Sequence, residues 1–354
     1  MKRKVLIFGL CLLEVTCALS AKDKKSIPLY KDAKAPIEKR VDDLLSRMTL
    51  EEKILQLNQY TMGRNNNVNN IGEEVKKVPA EIGSLIYYDT NPALRNNVQK
   101  KAMEESRLGI PIIFGYDAIH GFRTVYPIPL GQACSFHPEL VRKMAGHAAA
   151  ESASEGIRAT FSPMIDVSRD PRWGRIMESF GEDPFLNGVM GTAMLRGYQG
   201  EEGKDQAGNK KIPESGIAGC LKHFAGYGAV NAGREYNDVE ISQRTFREQY
   251  LKPFRMAMHA DPAMVMTAFN AVDRRPVSGN KELLEGTLRE EMGFSGTVIS
   301  DWGSIGQLEE QNVVSSQKEA AEAAVRAGVD IDMMSPAYMF HLEELVKEGS
   351  IPTS

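Results

Sequence analysis

The stretch GTVISDWGSI, residues 296–305, places a short apolar run between two glycines and then ends it on a carboxylate. Thr297, Val298 and Ile299 carry the β-branched side chains that favour a buried strand. Asp301 follows two residues later, and burial of its charge costs free energy unless neighbouring groups compensate for it. The stretch therefore predicts either a structural acid with satisfied hydrogen bonds or a site that needs a poorly solvated negative charge.

Short apolar runs like this one alternate along the chain with segments of helical spacing. Near-continuous apolar strands that alternate with helices indicate a parallel sheet covered on both faces. The predicted strands are 82–88, 110–117, 159–167, 216–224, 263–270, 296–301 and 328–334. The predicted helices between them are 91–106, 137–153, 183–198, 242–258 and 280–293.

Two α/β architectures fit this alternation, a (β/α) barrel and an open doubly wound sheet. The barrel is favoured because polar side chains fall at the carboxyl ends of different strands, which is where a barrel assembles its site. These side chains are Asp117, Asp166, Lys222, His223, Asn270 and Asp301. No GxGxxG loop follows the first strand, which disfavours a nucleotide-binding sheet. We therefore predict a (β/α)8-type TIM barrel in which seven strands are recognisable and the eighth is disguised or missing.

The first 21 residues have the layout of a secretory signal peptide. Lys2, Arg3 and Lys4 precede an apolar run, and the small residues Ser20 and Ala21 offer a cleavage site. Glu14 interrupts the run, which argues against a membrane span of about 20 apolar residues. We expect an exported protein, periplasmic or extracellular, with an N-terminal extension at 22–35 and a barrel domain over 36–354.

Charge and cysteine content exclude several classes of partner. Removal of residues 1–21 changes the net charge only from −4 to −6, which gives no reason to expect nucleic acid or an anionic membrane as a partner. Cys134 and Cys220 would remain, and two separate buried thiols are favoured over one disulfide. No CxxC motif or Cys/His cluster indicates a metal, and no motif indicates a cofactor.

Four further motifs carry candidate site residues, and each has a structural alternative. They are GYDAIHG (115–121), SRDPRWGRIMESFGEDP (168–184), LKHFAGYG (221–228) and MVMTAFNAV (264–272). Asp117 can cap a turn, and the charges of the second motif can pair among themselves. Lys222 and His223 are neighbours, so both can face one site only if their strand ends or bulges there.

Taken together and in chain order, these motifs resemble glycoside hydrolase family 3, the β-glucosidase-like family. The resemblance runs from about residue 36 to the end and includes GYDAIHG, DPRWGR, KHFAGYG and SDW. The segments GREYN (233–237) and RRPVSGN (274–280) also stand in the family's order. The resemblance implies an exo-acting, retaining β-glycosidase whose substrate is a β-linked oligosaccharide or an aryl glucoside.

The resemblance also implies roles for individual residues. Asp301 matches the nucleophile that forms a covalent glycosyl-enzyme, and Trp302 matches an aromatic that stacks on the sugar. Sugar hydroxyls would be bound by Asp117, Arg175, Lys222 and His223. Phe269 stands where the family usually carries a tyrosine, so the ring is kept and the hydroxyl is lost.

The chemistry agrees with these roles but needs a second carboxyl group. A fixed carboxylate stabilises the oxocarbenium-like transition state, while an acid protonates the leaving group. In most family members that acid lies on a second α/β domain, and a single-domain branch uses a histidine after the KHF strand. The loop 229–238 contains no histidine, and Glu178 and Glu235 are weak substitutes. We therefore expect an N-terminal part of a longer enzyme, with reduced activity or none when alone.

Two other classes of function stay open from the sequence. One is a sugar-binding barrel with an intact subsite and incomplete catalysis. The other is a phosphate-binding or metal-dependent barrel enzyme, for which neither a Gly-rich loop near the last strands nor a ligand cluster is found. Among substrates, the forms GYDAIHG and GREYN favour a β-glucoside, with a β-xyloside as the alternative.

Overall fold

The computed structural model describes residues 27–62, 76, 78–88, 92–200, 203, 204, 208 and 210–353. The predicted signal peptide at 1–21 lies outside these residues. Within them, no helix is both long enough and apolar enough to cross a bilayer. The same residues contain no group of three or more His, Cys, Asp or Glu side chains placed to hold a metal ion.

Eight parallel strands form one sheet in the described part of the chain. They are β1 (Asn58–Met62), β2 (Ser84–Tyr87), β3 (Ile113–Tyr116), β4 (Ala159–Thr160), β5 (Ala218–Phe224), β6 (Met264–Thr267), β7 (Thr297–Ile299) and β8 (Asp332–Met333). Each strand pairs with its sequence neighbours, and β1 also pairs with β8. A parallel bridge between Ile299 and Ile331 joins β7 to the start of β8 and completes the circuit. The predicted TIM-type barrel is confirmed.

The eighth strand, which the sequence left as either disguised or missing, is β1. Its sequence begins with two polar residues, Asn58 and Gln59, which are nonetheless buried. The Asn58 side chain donates a hydrogen bond to the carbonyl of Ile54 at 2.6 Å, which offsets part of its desolvation. A strand with buried polar side chains does not show the apolar run by which the other seven were identified.

Side chains of alternate strand residues divide the core into an inner and an outer part. One cluster of buried side chains joins Ile86, Phe161, Cys220, Met266, Ile299 and Met333, which lie in or directly after six of the eight strands. Residues next to these, such as Leu85 and Val298, pack in other clusters with helix residues. This is the two-residue period expected of strands whose two faces are both buried.

In the described residues, two helices precede β1, others lie between the strands from β2 onward, and one follows β8. They are α1 (Ile37–Arg47), α2 (Leu50–Gln56), α3 (Pro92–Glu105), α4 (Pro129–Ala133), α5 (Pro138–Ser154), α6 (Pro184–Gln199), α7 (Gln243–Thr245), α8 (Lys252–Ala257), α9 (Gln307–Glu310), α10 (Gln317–Ala327) and α11 (Ala337–Lys347). Two π-helical segments occupy Phe246–Tyr250 and Glu282–Glu291. Single 3-10 turns occupy Leu29–Lys31, Ile176–Glu178, Tyr227–Ala229, Asn231–Gly233, Met258–Ala260 and Val277–Gly279.

Capping explains where the helices around the site begin. Asp183 accepts a hydrogen bond from the Leu186 amide at 2.7 Å and starts α6, with Pro184 in the first turn. His137 starts α5 in the same way.

The predicted helix 242–258 is divided into α7, a π-helical segment and α8, because the Leu251 amide bonds to the Phe246 carbonyl five residues back.

Three further details differ from the sequence-based prediction. β4 spans only Ala159–Thr160 because Pro163, which has no amide hydrogen, interrupts the predicted strand 159–167. Cys134 and Cys220 are both free, and Cys220 is buried as predicted. Cys134, predicted to be buried, is exposed and directly follows the short helix α4. Two short antiparallel ribbons, Gly203–Lys204 with Lys210–Lys211 and Ala271–Val272 with Arg275–Pro276, lie outside the barrel sheet.

Candidate active site

The predicted site residues all lie at the carboxyl-terminal rim of the barrel. Asp117 follows β3 directly, Phe269 follows β6 by two residues, and Asp301 follows β7 by two residues. Lys222 and His223 are in the last three residues of β5. Arg175 lies in the long loop between β4 and α6, directly before the 3-10 turn Ile176–Glu178. The rim therefore gathers residues from strands that are far apart in sequence.

An irregularity in β5 lets two neighbouring residues serve one site. The pairing of β5 with β6 shifts between Leu221 and Phe224, where β5 contains one residue more than β6. This is the pattern of a β-bulge. The Lys222–His223 peptide bond is cis. Both side chains reach Asp301's neighbourhood, and of the two alternatives that the sequence allowed, a strand end or a bulge, the structure has the bulge.

Asp301 is the most enclosed carboxyl group of the predicted sugar-contacting set, with only 7% of its surface exposed. Its Oδ1 accepts a hydrogen bond from the Trp302 amide at 2.7 Å. Its Oδ2 lies 3.3 Å from His223 Nε2, but these two atoms are not aligned as a hydrogen bond. Burial raises the pKa of Asp301 to about 6, while the charges of Arg175 and Lys222 oppose the rise.

Cations and acids form a connected network beside Asp301. Arg175 donates two hydrogen bonds to Glu178, Nε to Oε1 at 2.7 Å and Nη2 to Oε2 at 3.0 Å. Lys222 Nζ lies 3.6 Å from Glu178 Oε2 and 3.5 Å from Asp117 Oδ1. Burial would raise the pKa of Glu178, but Arg175 and Lys222 together hold it below its ordinary value. The network therefore contains two cations and two carboxylates, of which only Asp117 is exposed.

His223 is held from behind by a second buried aspartate, Asp166. The Asp166 Oδ2 atom accepts a hydrogen bond from the His223 amide at 2.9 Å and lies 2.8 Å from His223 Nδ1. Burial raises the pKa of Asp166 to about 7 and, together with Arg175 and Lys222, lowers the pKa of His223 well below its ordinary value. The ring is therefore neutral near pH 7.

Aromatic side chains line one side of the site. The Tyr227 ring packs edge-on against His223 and Trp173, at centroid distances of 5.1 and 5.4 Å, and the Arg175 guanidinium lies 5.7 Å from it. Phe269 packs against Tyr227 at 5.8 Å and is itself buried. Trp302 is half-buried and contacts the inner as well as the outer core.

The structural alternatives from the sequence hold for part of the long loop. Asp170 pairs with Arg172 at the surface, and Asp183 caps α6, so neither contributes to the site. Asn270 is buried and its amide donates to the backbone carbonyls of Ala225 and Ala271, so this rim residue is structural. Glu235 accepts a hydrogen bond from the Tyr227 hydroxyl.

Sequence reasoning did not assign a role to Asp166 or Tyr227, and it considered Glu178 only as a weak candidate for the general acid. Asp166 was visible as a polar residue at a strand end, but its contact with His223 depends on the pairing of β4 with β5. Tyr227 follows the KHF motif and reads as core from its composition alone. Glu178 was identified as one of several acids in a charged loop, but its contacts with Arg175 and Lys222 were not predicted.

Comparison with known proteins shows a family and several relatives to which this chain is similar. The family model described as the glycosyl hydrolase family 3 N terminal domain matches residues 49–354. A periplasmic beta-glucosidase of Salmonella typhimurium is 38% identical over 311 residues, which cover 88% of this chain and 39% of that protein. A beta-xylosidase of Formosa agariphila is 34% identical over 288 residues, which cover 77% of this chain and 39% of that protein.

A solved structure gives the same result in three dimensions. The beta-glucosidase from Listeria innocua in complex with glucose matches with a TM-score of 0.81 and 40% identity, over 89% of this chain and 44% of that chain. This chain therefore spans less than half the length of these relatives.

Proposed function

The chain belongs to glycosyl hydrolase family 3, and from that membership we propose that it forms the barrel of a retaining β-glycosidase with Asp301 as the nucleophile. One observation carries the proposal. Asp301 stands at the end of β7 as a nearly buried carboxyl group, with one oxygen held by the Trp302 amide and the other free of a hydrogen bond within the described residues. A rigid carboxylate with one free oxygen is suited to attack an anomeric carbon.

The electrostatics of the rim support this role. A nucleophilic carboxylate must be ionised, yet burial favours its neutral form. Arg175 and Lys222 offset this effect and keep the pKa of Asp301 at about 6, so the carboxylate is largely ionised at pH 7. The same two cations act on the Asp301 carboxylate, whose negative charge would disappear when the glycosyl-enzyme forms.

We propose that the remaining rim residues bind the sugar. Asp117 is exposed and can accept hydrogen bonds from sugar hydroxyls, while Lys222 and His223 can donate to them. The half-buried ring of Trp302 offers an apolar face beside the nucleophile. Two N–H groups of Arg175 donate to Glu178. Arg175 would contact the ligand through its other N–H groups, and its positive charge favours the ionised form of Asp301. Phe269 is buried behind Tyr227 and supports the aromatic wall.

We expect that neither Glu178 nor Glu235, the two candidate acids within the barrel, is the general acid. Glu178 is bound by Arg175 and Lys222, and its low pKa makes it a poor proton donor near neutral pH. Glu235 is engaged by Tyr227. We propose that an additional part of a longer protein supplies the acid, in agreement with relatives of which this chain covers 39%.

The relatives also guide the proposals for substrate and location. One is named a beta-glucosidase and another a beta-xylosidase, so we propose a terminal β-D-glucoside as the first substrate to test and a β-xyloside as the second. A periplasmic relative and the signal-like residues 1–21 together support export to the periplasm or beyond the cell.

The nucleophile can be tested without a general acid. A 2-deoxy-2-fluoro-β-D-glucoside of dinitrophenol has a leaving group that needs no protonation, so it traps the glycosyl-enzyme even if the acid is absent. We expect one fluoroglucosyl group on the peptide that contains Asp301, detected by mass spectrometry. Asp301→Asn should take up none. Labelling of another residue, or equal labelling of Asp301→Asn, would refute the assignment.

A sugar-binding barrel is the second candidate function, because Glu178 and Glu235 are both engaged by other side chains. It predicts that glucose binds, as measured by calorimetry, while an aryl glucoside is not turned over. Turnover of the aryl glucoside would exclude this candidate.

A further inference from the structure

Asp166 lies behind the sugar-facing side of the site and contacts it through His223. One oxygen, Oδ2, is 2.9 Å from the His223 amide nitrogen and 2.8 Å from its ring nitrogen Nδ1. Both side chains are 1% exposed, so water does not compete for these contacts. The amide always donates, which means that Oδ2 must act as an acceptor toward the backbone whatever it does toward the ring.

The opposite ring nitrogen faces Asp301. His223 Nε2 is 3.3 Å from Asp301 Oδ2, and neither atom has a hydrogen-bond partner within the described residues. An ionised carboxylate only accepts hydrogen bonds, so an Nε2 atom without a proton would set two lone pairs against each other in a buried space. A proton on Nε2 removes this repulsion and leaves a donor for a bound hydroxyl group.

A neutral imidazole carries one proton, so a proton on Nε2 leaves Nδ1 as an acceptor that needs a donor. We propose that Asp166 is a positioning residue whose carboxyl group is protonated and donates a hydrogen bond to His223 Nδ1, which keeps the ring proton on Nε2, facing Asp301. The proposal rests on the assigned role of Asp301 for its catalytic consequence, but the placement of the protons does not depend on turnover.

The charged groups around the triad of Asp166, His223 and Asp301 act in known directions. Arg175 and Lys222 favour the ionised form of both aspartates, whereas Glu178 opposes ionisation of Asp166 and Asp117 opposes that of Asp301. Tyr227 packs on the His223 ring and stays neutral, as does the buried Cys220 thiol, because burial raises the pKa of each.

Burial raises the pKa of Asp166 to about 7, so the proton on this carboxyl group is lost to solvent as the pH rises through that value. The Asp166 carboxylate then accepts from the ring, the ring proton moves to Nδ1, and Nε2 becomes an acceptor. The ring stays neutral throughout, so the change is one of tautomer and not of charge. The site thus has a donor toward Asp301 below pH 7 and loses it above.

The tautomer can be read directly by ¹⁵N NMR of the full chain labelled at its six histidines. The His223 signals are assigned by their loss in His223→Gln. At pH 6 we expect a neutral ring with a protonated Nε2 and an unprotonated Nδ1, and at pH 8.5 the reverse. A protonated Nδ1 with a bare Nε2 at pH 6 would overturn the proposal, and so would a tautomer that does not change between the two values.

Asp166→Asn provides a directional test. The atom that replaces Oδ2 must accept from the His223 amide, so the amide oxygen of asparagine takes this position and can only accept from the ring. We expect the Nδ1-protonated tautomer at every pH in this variant. The control Asp170→Asn, at a partly exposed carboxylate of the same loop that pairs with Arg172, should retain the wild-type pH dependence. Retention of a protonated Nε2 in Asp166→Asn would overturn the proposal.

The wild-type pH series stands on its own if Asp166→Asn does not fold. The two proposals also fail separately. Absence of fluoroglucosyl labelling on Asp301, with the expected tautomer change, would refute the nucleophile and leave the positioning role. Labelling of Asp301 without the tautomer change would do the opposite.

Discussion

Arg175 and Glu178 form a two-pronged ion pair three residues apart, with Nε–Oε1 and Nη2–Oε2 distances of 2.7 and 3.0 Å. The pair sits beside Lys222, which lies 3.6 Å from the same carboxylate. Glu178 therefore neutralises part of the positive charge that would otherwise act on the two buried aspartates. It sets how strongly the rim favours ionised carboxyl groups.

Glu178→Gln is expected to destabilise the fold and to lower the pKa of Asp166. The substitution leaves Arg175 and Lys222 without their shared counter-charge, at a cost of about 2 kcal/mol in the free energy of unfolding at pH 7. Because the folded-state pKa of Glu178 lies below its ordinary value, this difference exists at neutral pH and disappears as the pH falls through that folded-state pKa.

Urea denaturation at pH 7 and at low pH measures the loss of stability and its pH dependence, and the pH midpoint of the His223 tautomer change measures the pKa of Asp166. Asp170→Asn, which breaks the exposed pair with Arg172, serves as the control and should change the free energy of unfolding far less. An equal loss of unfolding free energy in the two variants would show that the Arg175–Glu178 pair stabilises the fold no more than the Arg172–Asp170 pair does.

Asp301→Asn is expected to stabilise the fold while it abolishes labelling. The pKa of Asp301 is raised to about 6 by burial, so the folded state binds its proton more tightly than the unfolded chain does. The native carboxyl group thus lowers stability as the pH rises from about 4 to about 6, by about 2–3 kcal/mol once fully ionised. Urea denaturation should show the variant more stable than wild type at pH 7 and equal to it near pH 3. A variant that is less stable at pH 7 would contradict this electrostatic account.

Lys222→Met is expected to move the pH dependence of labelling. Lys222 favours the ionised form of Asp301, so its removal should raise the midpoint of the labelling rate above about 6, by about one pH unit. Lys222→Arg keeps the charge and should leave the midpoint nearly unchanged. The midpoint is obtained from the rate of fluoroglucosyl labelling measured between pH 4.5 and 8. Equal midpoints for Lys222→Met and wild type would contradict the electrostatic role of the lysine.

Tryptophan fluorescence should report sugar binding through one residue. The chain has two tryptophans, and Trp173 is 1% exposed beneath Tyr227, whereas Trp302 is half-buried beside Asp301. We expect glucose to change the fluorescence of wild type and of Trp173→Phe but not of Trp302→Phe. Calorimetry on the same variants should show weaker binding for Trp302→Phe, because a smaller ring covers less of the sugar face. A glucose-dependent signal that persists in Trp302→Phe would place the sugar elsewhere.

The barrel and most of its rim could be predicted from sequence because apolar strands end abruptly in polar residues. Asp117, Lys222, His223 and Asp301 follow this rule, and the structure brings their strands together at one rim. β1 could not be recognised, since Asn58 and Gln59 are buried polar residues that interrupt the apolar pattern, and no pattern reveals the Asn58–Ile54 hydrogen bond that offsets part of this cost.

Other features depend on tertiary contacts and lie beyond any local pattern. Asp166 acquires its partner only when β4 is laid beside β5, and Glu178 is distinguished from its acidic neighbours only by the fold of the loop. Cys134 stands in an apolar stretch of sequence but is exposed at the end of a helix whose Gln132 and Ala133 are buried, so its local composition does not predict its exposure.

The extra residue of β5 between Leu221 and Phe224 has a consequence for how this barrel can change over time. Deletion of one residue there would regularise the ladder and turn one of two adjacent side chains to the opposite face. Single substitutions around the rim leave the strand pairing unchanged, whereas a change in the length of this segment would turn either Lys222 or His223 away from the site. Insertions and deletions should therefore accumulate in the loops and spare this strand.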